Sequence, residues 1–464
     1  MAPVSVEASR QLPISILRRD LVKAAGDPCT EPHTTAVSNI DIYNSTGQFH
    51  IACLYPKPWE APSGGFDGVV GTFAAGLPRL LSHFYPLCGR IGTNPSSGLP
   101  ELHCHNQGAD LVVGEVDAAL WSLDFCEARS LKEMALPFPE DVALSVQLLS
   151  FACGGFAVVW GINHLLGDGF AITQLIRMWS ELSRSGTIAK GPNHDRSVFR
   201  PRDQPSYDSA RLDKLFTTFQ EHQMVNVLTA QDSFVERLYY IEAGDIHGLR
   251  DMASNKDRRS SRVQAVSAYI WKVLAGVVAA SRVPEERCRM GWWVDARQRL
   301  TGPELAPVMP SYFGNATTYT LGDAAVKEIQ RKPLADVAGM VRDAITSIDY
   351  DEYIQEICDW VEEHKEEMFV ERALLGFGPP TLNQTVFASF PLDTDFGFGQ
   401  ASLAMPVFHH TRLSSGFMAL SARPAGGDGS WFVSACVWPR LAAALESDDK
   451  HIFKPLTADY LGLL

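Results

Sequence analysis

The chain has 464 residues, of which 46% are hydrophobic and 20% charged, the composition of a globular protein. This length exceeds one ordinary hydrophobic core, so more than one domain is expected. The formal net charge is −14 and no long basic run occurs, which argues against a surface for nucleic acids or anionic membranes.

The cysteines and the apolar runs indicate the compartment. The nine cysteines are scattered and form no Cys-x-x-Cys pair, so neither a disulfide framework nor a zinc site is indicated. Residues 1–20 lack the apolar core of a signal peptide, and no run of eighteen apolar residues occurs. We therefore expect a cytoplasmic protein without a transmembrane helix.

The first half of the chain alternates predicted strands and helices. Apolar residues alternate within 37–56, which predicts two strands, the first through Ile40, Ile42 and Tyr43. The other predicted elements are a helix over 66–84 with a kink or break at Pro78, strands over 101–105, 143–151 and 156–162, and a helix over 170–182. Residues 183–207 are rich in Gly, Pro and charge, so they are predicted to be an interdomain linker.

The second half repeats the mixed pattern. Its predicted elements are strands over 235–241 and 290–294, a helix over 265–280, acidic helices over 334–369, and strands over 382–390, 417–422 and 431–438. The whole pattern predicts an α/β protein with two domains, residues 1–210 (linker included) and 211–464.

One short stretch contains the candidate catalytic residues. The apolar strand 156–162 leads to His164, and Gly167 and Gly169 flank Asp168 before the next helix. A histidine at the end of a buried strand is a candidate general base, because its pKa lies near neutral pH. The alternative is a structural histidine. Asp168 occupies a helix N-cap position, which favours an architectural role for its carboxylate.

Further motifs then identify a family. The run His164-Leu-Leu-Gly-Asp168-Gly169 resembles the HxxxDG motif of the plant BAHD acyltransferases, and residues 395–399, Asp-Phe-Gly-Phe-Gly, are similar to the family's DFGWG. Three more stretches match in the same order along the chain: FYPLCGR at 84–90, VDARQRL at 294–300 and SYFGN at 311–315. The resemblance covers nearly the whole chain.

The resemblance implies a fold and a reaction. The family has two chloramphenicol-acetyltransferase-like domains, each a mixed sheet flanked by helices, with a central channel between them. Acyl-coenzyme A, a co-substrate, enters from one face and a small acceptor from the other, and the histidine takes the acceptor's proton. The resemblance further implies a monomer without a metal or a permanently bound cofactor. A segment near residues 375–400, including the strand 382–390, is expected to cross back and extend the first sheet.

The second motif is expected to support the site. Asp395 belongs with His164 and Asp168 to the motif residues predicted to be catalytic, but the resemblance gives it a structural role. It implies an ion pair from Asp395 to Arg297 or Arg299, both of which remain open. Gly397 and Gly399 permit a tight turn there.

Several positions bear on the substrates. Phe398 replaces the family's tryptophan, Asn163 stands where many members have a second histidine, and Ala316 makes a malonyl donor less favoured. The resemblance indicates Thr385 and Phe387 as acceptor-side residues that favour an aromatic, hydroxycinnamoyl-like donor. Thr385 could bind an oxyanion or be an ordinary strand residue.

Other predicted ligand contacts come from spacing and from a channel-lining match. Arg372 lies at the offset of the arginine that binds the acceptor's carboxylate in shikimate-specific members, and Ser260-Ser261-Arg262-Val263 matches a channel-lining stretch. The pair His103 and His105 and the pair His409 and His410 lack a third ligand nearby, so no metal site is predicted.

Two rival functions remain. A peptide-forming condensation domain shares the fold but has a histidine where Asn163 stands, and a non-catalytic small-molecule-binding relative would not need His164. The acceptor, and whether its oxygen or nitrogen is acylated, stays open.

Overall fold

The computed structural model describes residues 11–26, 33–57, 64–218, 234–256, 258–281, 286–367, 369–409, 415–424 and 427–464. Its strands are β1 (Ile14–Val22), β2 (His33–Ala36), β3 (Gln48–Tyr55), β4 (Arg90–Thr93), β5 (Pro100–Cys104), β6 (Ala109–Val116), β7 (Leu144–Phe151), β8 (Phe156–Asn163), β9 (Phe216–Thr218), β10 (Val235–Ile241), β11 (Arg287–Asp295), β12 (Thr317–Ala325), β13 (Phe369–Glu371), β14 (Thr381–Val386), β15 (Leu403–Val407), β16 (Gly416–Ala422), β17 (Trp431–Val437) and β18 (Lys454–Pro455). Its helices are α1 (Asn39–Tyr43), α2 (Phe66–His83), α3 (Arg129–Met134), α4 (Gly169–Ser185), α5 (Ser209–Leu215), α6 (Ala243–Met252), α7 (Arg262–Ala279), α8 (Val326–Arg331), α9 (Leu334–Thr346), α10 (Tyr350–His364) and α11 (Pro439–Glu446).

Two large mixed sheets make up the fold. The first has the order β1-β6-β7-β8-β3-β15, and the second has the order β12-β11-β14-β16-β17-β10-β18. Most neighbouring strands are antiparallel, whereas β6–β7, β11–β14 and β14–β16 are parallel. The predicted α/β class with two mixed sheets is confirmed.

Amphipathic helices bury one side of the first sheet. The side chains of Phe73 in α2, Trp160 in β8 and Trp179 in α4 meet with ring centroids 4.9–5.9 Å apart. Helix α2 runs through Pro78 without ending there. Helix α4 ends at Gly186, whose φ of 76° is the left-handed conformation that glycine adopts readily at a helix C-terminus. The predicted helices therefore form at the apolar faces that their spacing indicated.

A hydrophobic cluster is shared by the two halves of the chain. The first sheet contributes Leu54 and Val159, and the second half contributes Leu238, Phe432 and Leu461. All five are buried. The two halves therefore exclude water from a common core.

The first predicted strand is wrong. Residues Asn39–Tyr43 form helix α1, because the Ser38 hydroxyl accepts a hydrogen bond from the Asp41 N–H while the Asp41 carboxylate accepts from the Ser38 N–H. This reciprocal capping box stabilises a helix start. Helix α1 also packs onto the second half, where Asn39 donates to the carbonyl of Cys358 at 2.7 Å.

The predicted crossing strand is also wrong. Strand β14, which covers most of residues 382–390, lies between β11 and β16 inside the second sheet. The strand that crosses is β15, which pairs antiparallel with β3 from Leu403 opposite Leu54 to Val407 opposite His50. Both strands are largely buried, so their sequences resemble core strands equally well and do not specify which sheet each one joins.

The linker is more than a surface spacer. Arg196 is buried and donates to the Asp41 carboxylate at 2.6 Å and to the carbonyl of Leu166 at 2.8 Å. Arg202 pairs with the buried Asp359 in α10 at 2.9 Å. The linker is thus anchored to both halves.

Two features of the chain bear on its environment. No helix within the described ranges is long and apolar enough to cross a membrane. Each of the eight cysteines in the described part of the chain is a free thiol. Cys29 lies outside the described residues.

Candidate active site

His164 lies just beyond the end of β8, where the first sheet meets the second half. Its backbone N–H donates to Gly47 at 2.8 Å, and its carbonyl accepts from the Asn315 amide at 2.8 Å. Its ring lies 4.9 Å from that of Phe49, and its Nδ1 has no hydrogen-bond partner among the described residues. Burial lowers the pKa of His164 below its ordinary value, although Asp168 opposes this effect. The imidazole is therefore neutral, and able to accept a proton, at neutral pH.

Asp168 holds the turn that follows. One carboxylate oxygen accepts from the N–H of Ala171 at 3.0 Å, so Asp168 caps α4 as predicted. The other oxygen accepts from the N–H of Ala316 and the hydroxyl of Thr317, each at 2.9 Å. Among the described side chains, none of its hydrogen bonds goes to His164. The carboxylate therefore positions the backbone of the turn and leaves the imidazole without a carboxylate partner.

Arg297 joins this carboxylate to the second half of the chain. Its two terminal nitrogens lie 2.9 and 3.1 Å from the two oxygens of Asp168, and one of them also lies 2.6 Å from Asp295. Burial alone would raise the pKa of Asp168, but the charge and hydrogen bonds of Arg297 hold it below its usual value. The buried bidentate pair fixes the two halves relative to each other at the His164 turn.

A second buried ion pair lies behind the turn. Asp41 accepts from Arg196 at 2.6 Å and from the Asn315 amide at 2.9 Å. Because Arg196 also bonds the carbonyl of Leu166, and Asn315 that of His164, the turn is held from both sides.

Asp395 does not pair with either predicted arginine. Its oxygen accepts from the N–H groups of Gly397 and Gly399 at 2.9 and 3.0 Å, which closes the Asp-Phe-Gly-Phe-Gly turn. Its nearest cation is Arg184 of α4 at 4.0 Å. Arg299 is exposed and lies over the ring of Tyr350. The predicted ion pair of Asp395 is wrong, because the guanidinium of Arg297 binds the carboxylate of Asp168 instead.

The two glycines have the predicted role. Gly397 and Gly399 have φ angles of 103° and 92°, which other residues rarely adopt. Asp395 therefore has a structural role and lies apart from His164, in contrast with its grouping among the predicted catalytic residues.

Phe398 is half-buried and packs against the core of the first half. Its ring packs against Tyr55 and Phe156 at 5.6 and 5.4 Å, in the first half of the molecule. Phe396 packs beside it against Trp160 at 5.8 Å. The motif therefore attaches the crossing segment to the first domain through its aromatic side chains.

Phe387 comes close to the His164 turn. A Cβ atom placed on Gly169 would lie 2.6 Å from the ring of Phe387, so that ring covers the residue after Asp168. Thr385 pairs with Trp293 across β14 and β11, and both side chains are partly exposed although their strands are interior. The structure brings Phe387 to the HxxxDG turn, and Thr385 lies two residues before it on β14.

Arg372 lies elsewhere. Its guanidinium lies 5.3 Å from the ring centre of Phe377, and the side chain lines a cavity of about 880 Å³ with Arg211, Lys214 and Arg289. None of the residues that surround the His164 turn lines this cavity. The structure therefore does not bring Arg372 to His164.

The predicted channel stretch begins α7. Ser260 is buried and donates to the carbonyl of Ala253 at 2.6 Å, and the Ser261 hydroxyl caps the helix. Val263 packs against the second core, while Arg262 is exposed and lies over the ring of Trp431. Of this stretch, Ser261 and Arg262 are the residues accessible to a ligand.

A cavity of about 220 Å³ lies between the halves beside Phe387. Thr173 of α4 and Met405 of β15 line it from one side, and Ala422 and Arg423 line it from the other. Ala422 pairs with Trp431, the residue beneath Arg262. The cavity thus lies beside the ring that covers Gly169, between the first sheet and the end of β16.

The described histidines of the two predicted pairs contact other side chains of the protein. His103 bonds Glu101 at 2.8 Å and its ring stacks against that of His105. His409 lies 5.7 Å from the ring of His50, and His410 is outside the described residues. Within the described ranges, no group of three or more His, Cys, Asp or Glu side chains could hold a metal ion.

Several residues of the site were not predicted. Asp41, Arg196 and Thr317 reach it only through the tertiary fold. The pattern Ser38-x-x-Asp41 is a helix-start signal that could have predicted α1, but no local pattern reveals which distant arginine its carboxylate would bind.

Comparison with known proteins places the chain among transferases. A family model described as the Transferase family matches residues 12–451. The hydroxycinnamoyltransferase of Narcissus pseudonarcissus is 29% identical over 393 residues, which cover 80% of this chain and 84% of the relative. The shikimate O-hydroxycinnamoyltransferase of Nicotiana tabacum is 26% identical over 409 residues, which cover 85% of this chain and 89% of the relative.

Solved structures share the fold. Vinorine synthase superimposes with a TM-score of 0.68 at 20% identity, covering 97% of this chain and 98% of its own. The F. graminearum TRI101 protein, in complex with coenzyme A and T-2 mycotoxin, gives a TM-score of 0.72 at 16% identity, covering 91% and 99%. At these identities the likeness concerns the fold.

Proposed function

The chain belongs to the Transferase family, the BAHD acyltransferases, as an acyl-coenzyme A-dependent enzyme, and we propose that it transfers a hydroxycinnamoyl-type group with His164 as general base. The observation that carries the proposal is the position of the His164 imidazole where the two halves meet, with no hydrogen-bond partner at its Nδ1 among the described residues. The acceptor is a small molecule that presents a hydroxyl or an amine.

The reaction needs one proton acceptor. The acceptor's oxygen or nitrogen attacks the thioester carbonyl carbon while His164 takes its proton, and a tetrahedral oxyanion forms. The oxyanion collapses, the carbon–sulfur bond breaks, and the thiolate leaves and takes the proton back from the imidazolium. Because a thioester is already activated, positioning and one base are sufficient.

Two further groups support the placement of the substrates. The Thr385 hydroxyl near the turn is a candidate donor to the oxyanion. The cavity beside Phe387 is the candidate site for the coenzyme A thioester, because Arg423 lines it and guanidinium groups bind phosphates well. The aromatic ring of Phe387 favours an aromatic acyl group, and hydroxycinnamoyltransferases among the relatives support the same choice.

The setting that we propose is a monomer in the cytoplasm. The free thiols of the described cysteines support a reducing compartment.

The test removes the base. We expect His164→Ala to lower kcat by about 10²–10⁴-fold with the melting temperature unchanged, because the ring supplies the base and its removal leaves the turn intact. Release of coenzyme A from p-coumaroyl-CoA, with mass spectrometry of the acylated product, measures this. In the wild type, the acid limb of kcat/KM should fall below pH 6.5, since burial lowers the pKa of His164 and activity is lost only as pH falls through that pKa.

Exposed His105 supplies the matched control, and His105→Ala should retain wild-type turnover. A folded His164→Ala protein with near-normal turnover would remove His164 from the mechanism.

A further inference from the structure

Ser421 contributes a buried polar group to the cavity beside Phe387, and the proposed mechanism does not use it. Ser421 lies on β16, lines this cavity of about 220 Å³ and is 3% exposed. Its hydroxyl has no hydrogen-bond partner among the described residues. A buried hydroxyl without a partner costs free energy, so a ligand that supplied the missing hydrogen bond would be bound more tightly.

The other side chains of the cavity leave this hydroxyl as its available neutral polar group. Thr173 donates its hydroxyl proton to the carbonyl of Phe170 at 2.9 Å. Apart from Thr173, Ser421 and Arg423, the side chains that line the cavity are apolar. The cavity therefore suits a largely aliphatic ligand that carries a few polar groups.

The wall that faces Ser421 is formed by β15. This strand ends the first sheet, and Ala404, Met405 and Pro406 on it line the cavity. Within the described ranges, no strand pairs with the outer edge of β15. Such an edge presents backbone polar groups that an extended, amide-containing chain can bind. An aliphatic chain with amide groups is the chemistry of pantetheine, the arm that joins the diphosphate of coenzyme A to its sulfur.

Strand pairing relates Ser421 to the groups that hold the His164 turn. Thr317, which bonds Asp168, lies opposite Asp295 on β11. The registers of β11 with β14 and of β14 with β16 extend this row past Phe387 to Ser421. Neighbouring strands lie about 4.8 Å apart, so three strand spacings put Ser421 about 14 Å from Thr317 along the row. An extended pantetheine arm spans a distance of this size, so it can reach from Ser421 to the turn.

Arg423 gives this arm a direction. It lines the same cavity two residues after Ser421, and a strand advances about 3.3 Å per residue, so the two residues lie about 7 Å apart. Its guanidinium lies 3.8 Å from the Asp428 carboxylate and 5.3 Å from the ring centre of Tyr460. A diphosphate at Arg423 would bring the first part of the pantetheine arm, which contains a hydroxyl and an amide, to Ser421.

We propose that Ser421 binds the pantetheine arm of the acyl donor, with its hydroxyl donating a hydrogen bond to the carbonyl of the amide nearest the diphosphate. This inference rests on the proposed acyl transfer. Rotation about the Cα–Cβ bond turns a serine hydroxyl towards a ligand. Ser421 moves no proton in the reaction. It is a positioning residue that holds the arm so that the thioester, at the other end, reaches His164.

The experiment shortens the donor step by step and measures its binding to the full chain by isothermal titration calorimetry, without an acceptor. The three donors are p-coumaroyl-CoA, p-coumaroyl-pantetheine, which lacks the diphosphate, and p-coumaroyl-N-acetylcysteamine, which also lacks the amide assigned to Ser421. We expect Ser421→Ala to raise the Kd of the first two donors by about 3- to 10-fold, the effect of one neutral hydrogen bond. The Kd of the N-acetylcysteamine thioester should stay at its wild-type value.

Ser434→Ala is the matched control. Ser434 on β17 lies two residues beyond Phe432, the residue opposite Ser421, so it shares the sheet face but does not line the cavity. Its removal should leave all three Kd values unchanged. Ser421→Cys, which keeps a side chain of similar shape with a weak hydrogen-bonding group, should show the same selective loss as Ser421→Ala.

A second readout separates binding from folding. Without a donor, Ser421→Ala should melt no lower than the wild type, because the change removes a buried hydroxyl that has no partner. A wild-type Kd for p-coumaroyl-CoA in Ser421→Ala, or an equal rise for all three donors, overturns the inference while the proposed acyl transfer stands. A wild type that binds none of the three donors contradicts the proposed function and this inference together.

Discussion

Among single residues, the aspartates of the two motifs, Asp168 and Asp395, have different structural roles. Asp168 is buried and compensates the charge of Arg297, whereas the Asp395 side chain is 28% exposed and bonds two backbone N–H groups. Removing charge from Asp168 leaves a buried guanidinium with Asp295 as its remaining carboxylate. Removing charge from Asp395 leaves its turn intact if an acceptor oxygen remains.

We therefore expect Asp168→Asn to lower the free energy of unfolding by about 3 kcal/mol, because a buried ion pair is broken. Asp395→Asn keeps an oxygen for Gly397 and Gly399 and should cost less than about 1 kcal/mol. Urea unfolding of both variants measures the difference. Equal destabilisation would contradict the pairing of Arg297 with Asp168.

At the scale of elements, the turn between β8 and α4 packs directly against the segment that follows β14. Gly169 leaves room for the ring of Phe387, which in turn packs near Phe390. A methyl group added at Gly169 would collide with Phe387, so helix α4 and the segment after β14 are in close contact there. The close approach couples the geometry of the His164 turn to the position of Phe387.

Gly169→Ala should displace Phe387, because the new Cβ would lie 2.6 Å from its ring. We expect the free energy of unfolding to fall by about 1–3 kcal/mol, which is typical of overpacking. We also expect kcat to fall at least about tenfold, because the displaced Phe387 no longer positions the substrates. Thermal unfolding and steady-state kinetics check this. Gly248→Ala in α6, where a methyl group meets nothing within 4 Å, is the control, and similar kinetics in both variants would contradict the packing argument.

At the scale of the whole molecule, the second half of the chain completes the sheet and the core of the first half. Strand β15 completes the first sheet at β3, and Phe432 and Leu461 fill the hydrophobic cluster shared with the first half. A chain ending at residue 210 would expose the edge of β3 and the apolar face beneath it. Exposed edges and apolar faces of this kind favour aggregation.

We expect the full chain to unfold in one cooperative transition and the fragment 1–210 to be insoluble or unfolded. Co-expression of 1–210 with 211–464 should restore solubility, because β15 and the shared cluster are then supplied. Calorimetry and size-exclusion chromatography measure both outcomes. A soluble fragment 1–210 with its own cooperative transition would show that the exchange is not needed for folding.

Local periodicity and fixed spacing made part of this protein predictable from its amino-acid sequence. It identified β8, α4, α7, the His164 turn, and the family to which the five ordered motifs belong, because side-chain period and capping chemistry act over a few residues. It also specified the tight turn at Gly397 and Gly399, since only the backbone conformation matters there.

The contacts between distant groups became known from the complete fold. The partner of Arg297 and the sheets that β14 and β15 each join depend on contacts between residues far apart in the chain. A charged residue in a sequence has many candidate partners of opposite sign, and the choice among them is made by the burial and geometry of the complete fold.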